Sequence, residues 1–117
     1  MKFITPKLHA LIDYLVVLFL LASPMLFGMT GNLAICTYAL GIVHFVLTIL
    51  TNFSGGALKI IPLPVHGFIE LVVGIALIAI ASTILKNDPL GKTFYMGFGI
   101  AVLVVFLFTN YKGNKVS

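Results

Sequence analysis

Polar residues are so scarce along this chain that the few present divide it into four apolar runs, at about 8–27, 33–52, 65–85 and 93–110. Each run is long enough to cross a hydrocarbon core of about 30 Å as a helix of roughly 20 residues. Breakers mark the joins. Thr5-Pro6 reads as an N-cap followed by proline at the first helical position, and Pro62-Leu63-Pro64 opens the third run in the same way. Gly28-Met29-Thr30-Gly31-Asn32 reads as a tight turn, Asn52-Phe53-Ser54-Gly55-Gly56 ends the second run, and Lys86 to Gly91 links the third to the fourth. Joins this short predict antiparallel packing of successive helices. Pro24, near the end of the first run, predicts a kink or a stop.

A phrase occurs twice inside this pattern. Leu8-His9-Ala10-Leu11-Ile12-Asp13 opens the first run and Val65-His66-Gly67-Phe68-Ile69-Glu70 opens the third, each with a histidine four residues before a carboxylate. The second and fourth runs end alike, in Leu50-Thr51-Asn52-Phe53 and Phe108-Thr109-Asn110-Tyr111. The offsets, 57 residues for the histidines and 58 for the threonines, nearly agree. The chain therefore reads as one transmembrane domain over 1–117, made of two helical hairpins, repeat 1 at about 8–55 and repeat 2 at about 65–113. An even number of spans per copy gives both copies the same orientation, related by a pseudo-twofold axis along the membrane normal. The expected fold is all-α: an integral membrane four-helix bundle of two parallel transmembrane hairpin repeats.

Composition agrees, with 61% hydrophobic and 9% charged residues and a mean hydropathy of +1.20, far from the soluble range. The first run carries His9 and Asp13 where a signal peptide would pass from a basic to an apolar region, so it is expected to remain in the mature protein. The net charge of +4 comes from lysines placed unevenly. Lys2, Lys7, Lys59, Lys112 and Lys115 fall on one side and Lys86 and Lys92 on the other. That bias predicts both termini and the middle loop in the cytoplasm. A lysine-rich rim accounts for the basic charge, and no nucleic-acid partner is expected; the expected partners are the lipid bilayer and a second copy or another membrane protein.

Asp13 and Glu70 are two of only three acidic residues. A rise of 1.5 Å per residue puts them about 10 Å inside their helix starts, and the i, i+4 spacing puts His9 and His66 on the same faces. His44 falls at a comparable depth. An ionised carboxylate facing lipid would cost about 2.5–3.5 kcal/mol, so the first and third helices are expected to turn these groups toward each other. Small residues there would allow close approach: Gly67, Gly74, Ala76, Ala79 and Ala81 on the third helix, Gly97 and Gly99 on the fourth.

Three readings of the layer His9, Asp13, His44, His66 and Glu70 follow. In the leading one the protein is a small accessory or structural membrane protein with no cofactor, whose layer locks the helix packing, His9 pairing with Asp13 and His66 with Glu70 or the two pairs crossing. In the second, Asp13 and Glu70 carry a proton, cation or small solute in a transporter or binding bundle. In the third the same five residues hold a metal, or two of the histidines hold haem. The di-iron bundle pattern, Glu-x-x-His with further glutamates, is not matched. No catalytic residue is assigned and an enzyme is not expected. The single Cys36 excludes a Cys-x-x-Cys pair and is expected to be a buried, inert thiol. No phosphate-binding glycine loop, nucleophile elbow or His-Glu-x-x-His pattern occurs. Ser23 and Ser82 are expected to bond back to their own helices.

His9-Ala10-Leu11-Ile12-Asp13 followed by Leu21-Ala22-Ser23-Pro24-Met25-Leu26-Phe27-Gly28 resembles the SPW-repeat family of small bacterial membrane proteins, whose repeat is a pair of transmembrane helices with a Ser-Pro-Trp motif in the first. Met25 stands where that motif has tryptophan, and the second unit reads Ala81-Ser82-Thr83-Ile84 without proline. The resemblance implies a two-unit four-helix fold in the bacterial inner membrane and assigns no activity. Tyr38, Tyr95 and Tyr111 lie near span ends, where a hydroxyl is expected to reach water. Tyr14, beside Asp13, is expected either to cap a polar cavity or to face a neighbouring subunit, and Gly41 or the Gly97/Gly99 groove is a candidate oligomer surface.

Overall fold

The computed structural model describes residues 2–51 and 58–111. It consists of four helices, α1 (Pro6–Leu26), α2 (Gly31–Leu50), α3 (Leu63–Ser82) and α4 (Pro89–Phe108). Each has 20 or 21 residues, which gives about 30 Å of rise and matches the hydrocarbon thickness. All four are long and apolar enough to cross a membrane. The all-α four-helix bundle expected from the pattern is what forms, and no strand occurs among the described residues. The end of the second hydrophobic run after Thr51 and the terminal lysines Lys112 and Lys115 lie outside the described residues.

Helix starts come two to four residues earlier than the hydrophobic pattern suggests, because caps lie in the polar joins. Thr5 Oγ1 accepts from the Leu8 amide at 3.1 Å with Pro6 in the first turn, and Asp88 accepts from the Gly91 amide at 3.1 Å with Pro89 following. Such caps contribute about 1 kcal/mol each. At α3 the capping position is Pro62 itself, with no side-chain cap bond. Pro24 does not stop α1, which runs two residues further. The chain then turns through Gly28 at φ +67°, with the Phe27 amide donating to Ser23 O and the Met29 amide to Pro24 O, both at 2.9 Å. A left-handed residue just past a helix favours glycine.

α1 packs along α2 and α3 along α4, while the two hairpins approach each other less closely. The repeat is visible in the packing. A β-carbon on Gly41 of α2 would sit 2.9 Å from Leu21 of α1, and one on its counterpart Gly99 of α4 would sit 2.9 Å from Ile78 of α3 and 3.0 Å from the Gly74 carbonyl oxygen. Both glycines are thus spent inside their own hairpins, so Gly41 and Gly99 are not oligomer surfaces as expected. Gly97, with nothing within 4 Å of its β-carbon position, faces outward. Ala76 and Ala79 are likewise exposed, and only Gly67, Gly74 and Ala81 of the α3 small residues are buried.

Short extended pairings tie the hairpins at one end. The Ile4 amide donates to Phe108 O and the Asn110 amide to Ile4 O, both at 2.9 Å. The repeat-related partners do the same: the Ile60 and Ile61 amides both reach Leu50 O at 2.7 Å. The resulting bridges, Ile4 with Thr109 and Ile61 with Thr51, set the threonine after each even-numbered helix beside the start of an odd-numbered helix in the other repeat.

Candidate functional site

Five residues beyond each bridge, α1 and α3 present His9 and His66. Both imidazoles are fully buried, and Asp13 and Glu70 are 2% and 5% exposed, so neither solvent nor lipid meets the charges. The two histidine rings stand edge to face with centroids 5.3 Å apart. Helices α1 and α3 face each other as expected, and both anticipated pairings form together. His9 Nε2 lies 3.2 Å from Asp13 Oδ1 and 3.1 Å from Glu70 Oε2; His66 Nε2 lies 3.1 Å from Asp13 Oδ2 and 3.1 Å from Glu70 Oε2. His44 of α2 places Nε2 3.5 Å from Asp13 Oδ1, so the five residues lie side by side.

Two threonines fix the orientation of the histidines. Thr109 Oγ1 donates its one proton to Val105 O at 2.6 Å, and Thr51 Oγ1 donates to Leu47 O at 2.6 Å. Each hydroxyl can then only accept from the imidazole it touches, at 2.9 Å from His9 Nδ1 and 2.7 Å from His66 Nδ1. Both histidines therefore carry a proton on Nδ1 and direct Nε2 at the carboxylates. The threonines are held by the cross-repeat bridges, so each half of the molecule orients the histidine of the other.

The twofold pattern breaks at the flanks. Tyr111 donates to Glu70 Oε1 at 2.7 Å, and its ring fills the space above Gly67, where a β-carbon would come within 2.9 Å. Burial, with the Glu70 carboxylate beside it, holds the Tyr111 phenol well above its ordinary range, so it remains a donor. In the first repeat the sequence has Phe53 at the matching position, without a hydroxyl. The counterpart of His44 in the second repeat is Val102. Asp13 is thus flanked by a third imidazole, whereas Glu70 is flanked by a phenol. Among the described residues neither Asp13 Oδ2 nor His44 Nε2 has a well-aligned hydrogen bond, although His66 Nε2 lies 3.1 Å from the former and Asp13 Oδ1 3.5 Å from the latter.

Thr51, Thr109 and Tyr111 join the site although sequence reasoning did not place them there. Their signal was the repeated Thr-Asn-aromatic ending. Tyr14 packs its ring against Phe45 of α2. Neither Tyr95 nor Tyr111 reaches out to water as expected, because Tyr95 is buried with its hydroxyl 3.0 Å from Thr37 Oγ1 and Tyr111 turns to Glu70. Thr37 takes the inward face of α2, which leaves Cys36, one residue and about 100° away, exposed rather than buried. Ser23 and Ser82 bond back to Phe19 O and Ile78 O as expected.

One ligand atom from each of His9, Asp13, His66 and Glu70 can be chosen so that all four lie within 4.8 Å of one another. The donor set, two imidazole nitrogens and two carboxylate oxygens, suits a borderline divalent ion. A haem does not fit between the histidines, since both Nε2 atoms touch the same Glu70 oxygen. Comparison with protein-family models, curated proteins and solved structures returns no match to this chain.

Proposed function

We propose that the protein is a membrane-embedded binding protein for a divalent transition-metal ion of the Zn2+, Fe2+ or Mn2+ class, held by His9, Asp13, His66 and Glu70. The observation that carries this reading is the pair of threonine-fixed imidazoles. With Nδ1 protonated, the two histidines aim Nε2 at carboxylate oxygens 3.1–3.2 Å away, contacts that need either a proton on each Nε2 or a metal ion between the groups. A metal ion meets all four groups at once. Two imidazolium protons would each be shared between two acceptors.

The spacing supports the same reading. Metal–ligand bonds of about 2.0–2.1 Å in a tetrahedron separate the ligand atoms by about 3.4 Å, and with Asp13 Oδ1 and Glu70 Oε2 as the oxygen ligands three of the contacts measure 3.1–3.2 Å. Two carboxylates balance a doubly charged ion, so the loaded centre is neutral, as a low-dielectric interior requires. Ligating histidines typically donate their second ring N–H to an orienting acceptor, and Thr51 and Thr109 occupy that role here. The lysine asymmetry supports a cytoplasmic-membrane orientation with this end of the bundle at the cytoplasmic side.

The test is metal analysis of the detergent-purified protein after Zn2+ loading and desalting. One equivalent in the native chain, lost on His9→Ala with His66→Ala, supports the centre. Absence of bound metal, with Asp13→Asn and Glu70→Gln lowering thermal stability alone, returns the layer to a packing lock.

A further inference from the structure

The hairpins leave small cavities beside the centre whose walls are repeat-related, Leu40, His44, Leu47, Ile69 and Val73 around one and Phe98, Val102, Val105, Ile12 and Val16 around the other. The symmetry fails where His44 stands opposite Val102. Two small adjoining cavities, of about 30 and 50 Å³, lie between the hairpins and share His44, Glu70, Phe98 and Val102 in their walls; the larger also reaches Asp13. A water molecule needs about 10–15 Å³ by this measure, so there is room for a molecule of two or three heavy atoms. Tyr111, which lines neither cavity, packs against His9 and Gly67.

We infer that the cavity beside His44 is the site of an exogenous ligand: a small neutral molecule that binds the metal ion at a position next to Asp13, against His44 Nε2. This rests on the metal reading above. His44 lies 3.5 Å from Asp13 Oδ1 and lines both cavities, and among the described residues its Nε2 has no well-aligned hydrogen-bond partner. It offers the ligand a polar contact that Val102, at the repeat-related position, cannot. Fe2+ centres with two histidines and a facial carboxylate keep coordination positions open for such an added ligand.

Charge and lining select its class. The remaining walls are aliphatic or aromatic and the loaded centre is already neutral, so a charged ligand would bring a net charge into an apolar cavity. Ile12, Val16, Phe98 and Ala101 line the larger cavity and also an outward-facing apolar groove between α1 and α4. A neutral diatomic molecule, soluble in the hydrocarbon, therefore has a route from the bilayer that bypasses the aqueous face.

The experiment uses full-length protein loaded anaerobically with Fe2+ and exposed to nitric oxide, whose adduct with non-haem Fe2+ gives a distinct high-spin paramagnetic resonance signal. The native protein is expected to give this signal. Val102→Phe, which fills both cavities, should keep its iron and bind nitric oxide at least tenfold more weakly. Ala101→Leu, which fills the larger cavity, serves as a second variant should Val102→Phe fail to fold. Bound iron without a nitric oxide signal overturns this inference and leaves the metal site standing. An undiminished signal in the folded cavity-filled variant overturns the location. Failure to bind iron or any other divalent ion overturns the metal reading and the inference with it.

Discussion

Replacing Thr109 with valine keeps the shape of a fully buried side chain and removes one oxygen. That oxygen is the acceptor for His9 Nδ1–H at 2.9 Å, in a place no water reaches. A buried donor left unpaired costs about 1–3 kcal/mol. His9 can avoid this cost only by moving its proton to Nε2, which removes the lone pair that binds the ion. Either way the loss appears in metal affinity, and at about 1.4 kcal/mol per decade it amounts to roughly 5–150-fold. Loss of an orienting partner at known metal sites typically costs 10–100-fold. Thr51→Val should behave alike, since Thr51 holds His66 at 2.7 Å. Thr48→Val is the control: Thr48 is equally buried, but among the described residues its hydroxyl bonds back to His44 O at 2.8 Å and to no imidazole. Competition of Zn2+ or Co2+ against a chromophoric chelator in detergent measures all three. Affinities for Thr109→Val and Thr51→Val within threefold of native, alongside an unchanged Thr48→Val, would refute the fixed-tautomer argument.

Tyr111→Phe deletes the hydroxyl that donates to Glu70 Oε1 at 2.7 Å; a hydrogen bond to a charged acceptor contributes about 1.5–3 kcal/mol, to be read as a lower unfolding midpoint of the metal-free protein in detergent. Gly99→Ala brings a β-carbon to 3.0 Å from the Gly74 carbonyl oxygen, a backbone atom that cannot swing away, and overpacking of this kind should cost about 1–3 kcal/mol. Gly97→Ala, two residues away in open space, should leave stability unchanged or raise it by up to about 1 kcal/mol through helix propensity, and thermal unfolding of the pair distinguishes them. Asp88→Ala removes the α4 N-cap and should cost about 1 kcal/mol by the same assay.

The four spans were readable because a bilayer leaves the chain few options: about 20 apolar residues between breakers form a helix, since every backbone polar group must be satisfied within the segment. The i, i+4 spacing of His9 with Asp13 and of His66 with Glu70 fixed which helix faces carry the charge, and the cost of a carboxylate in lipid turned those faces inward. Inward and outward positions were less readable where every residue is apolar. Cys36, Ala76 and Ala79 sit on outward faces, because in a uniformly hydrophobic helix the sequence holds almost no moment to orient it.

What the sequence by itself determined is the membrane class, the four helices, their repeat and the five residues of the polar layer, all consequences of hydrophobicity and helical period acting along one segment at a time. Tertiary structure alone decided how that layer is wired. Thr109 reaches His9 across 100 residues and Thr51 reaches His66 across 15, because the extended residues before α1 and α3 pair with those after α4 and α2. Those cross-repeat bonds set the protonated nitrogen of each imidazole. They turn four like-placed polar groups into a convergent donor set, and no local pattern could have specified that.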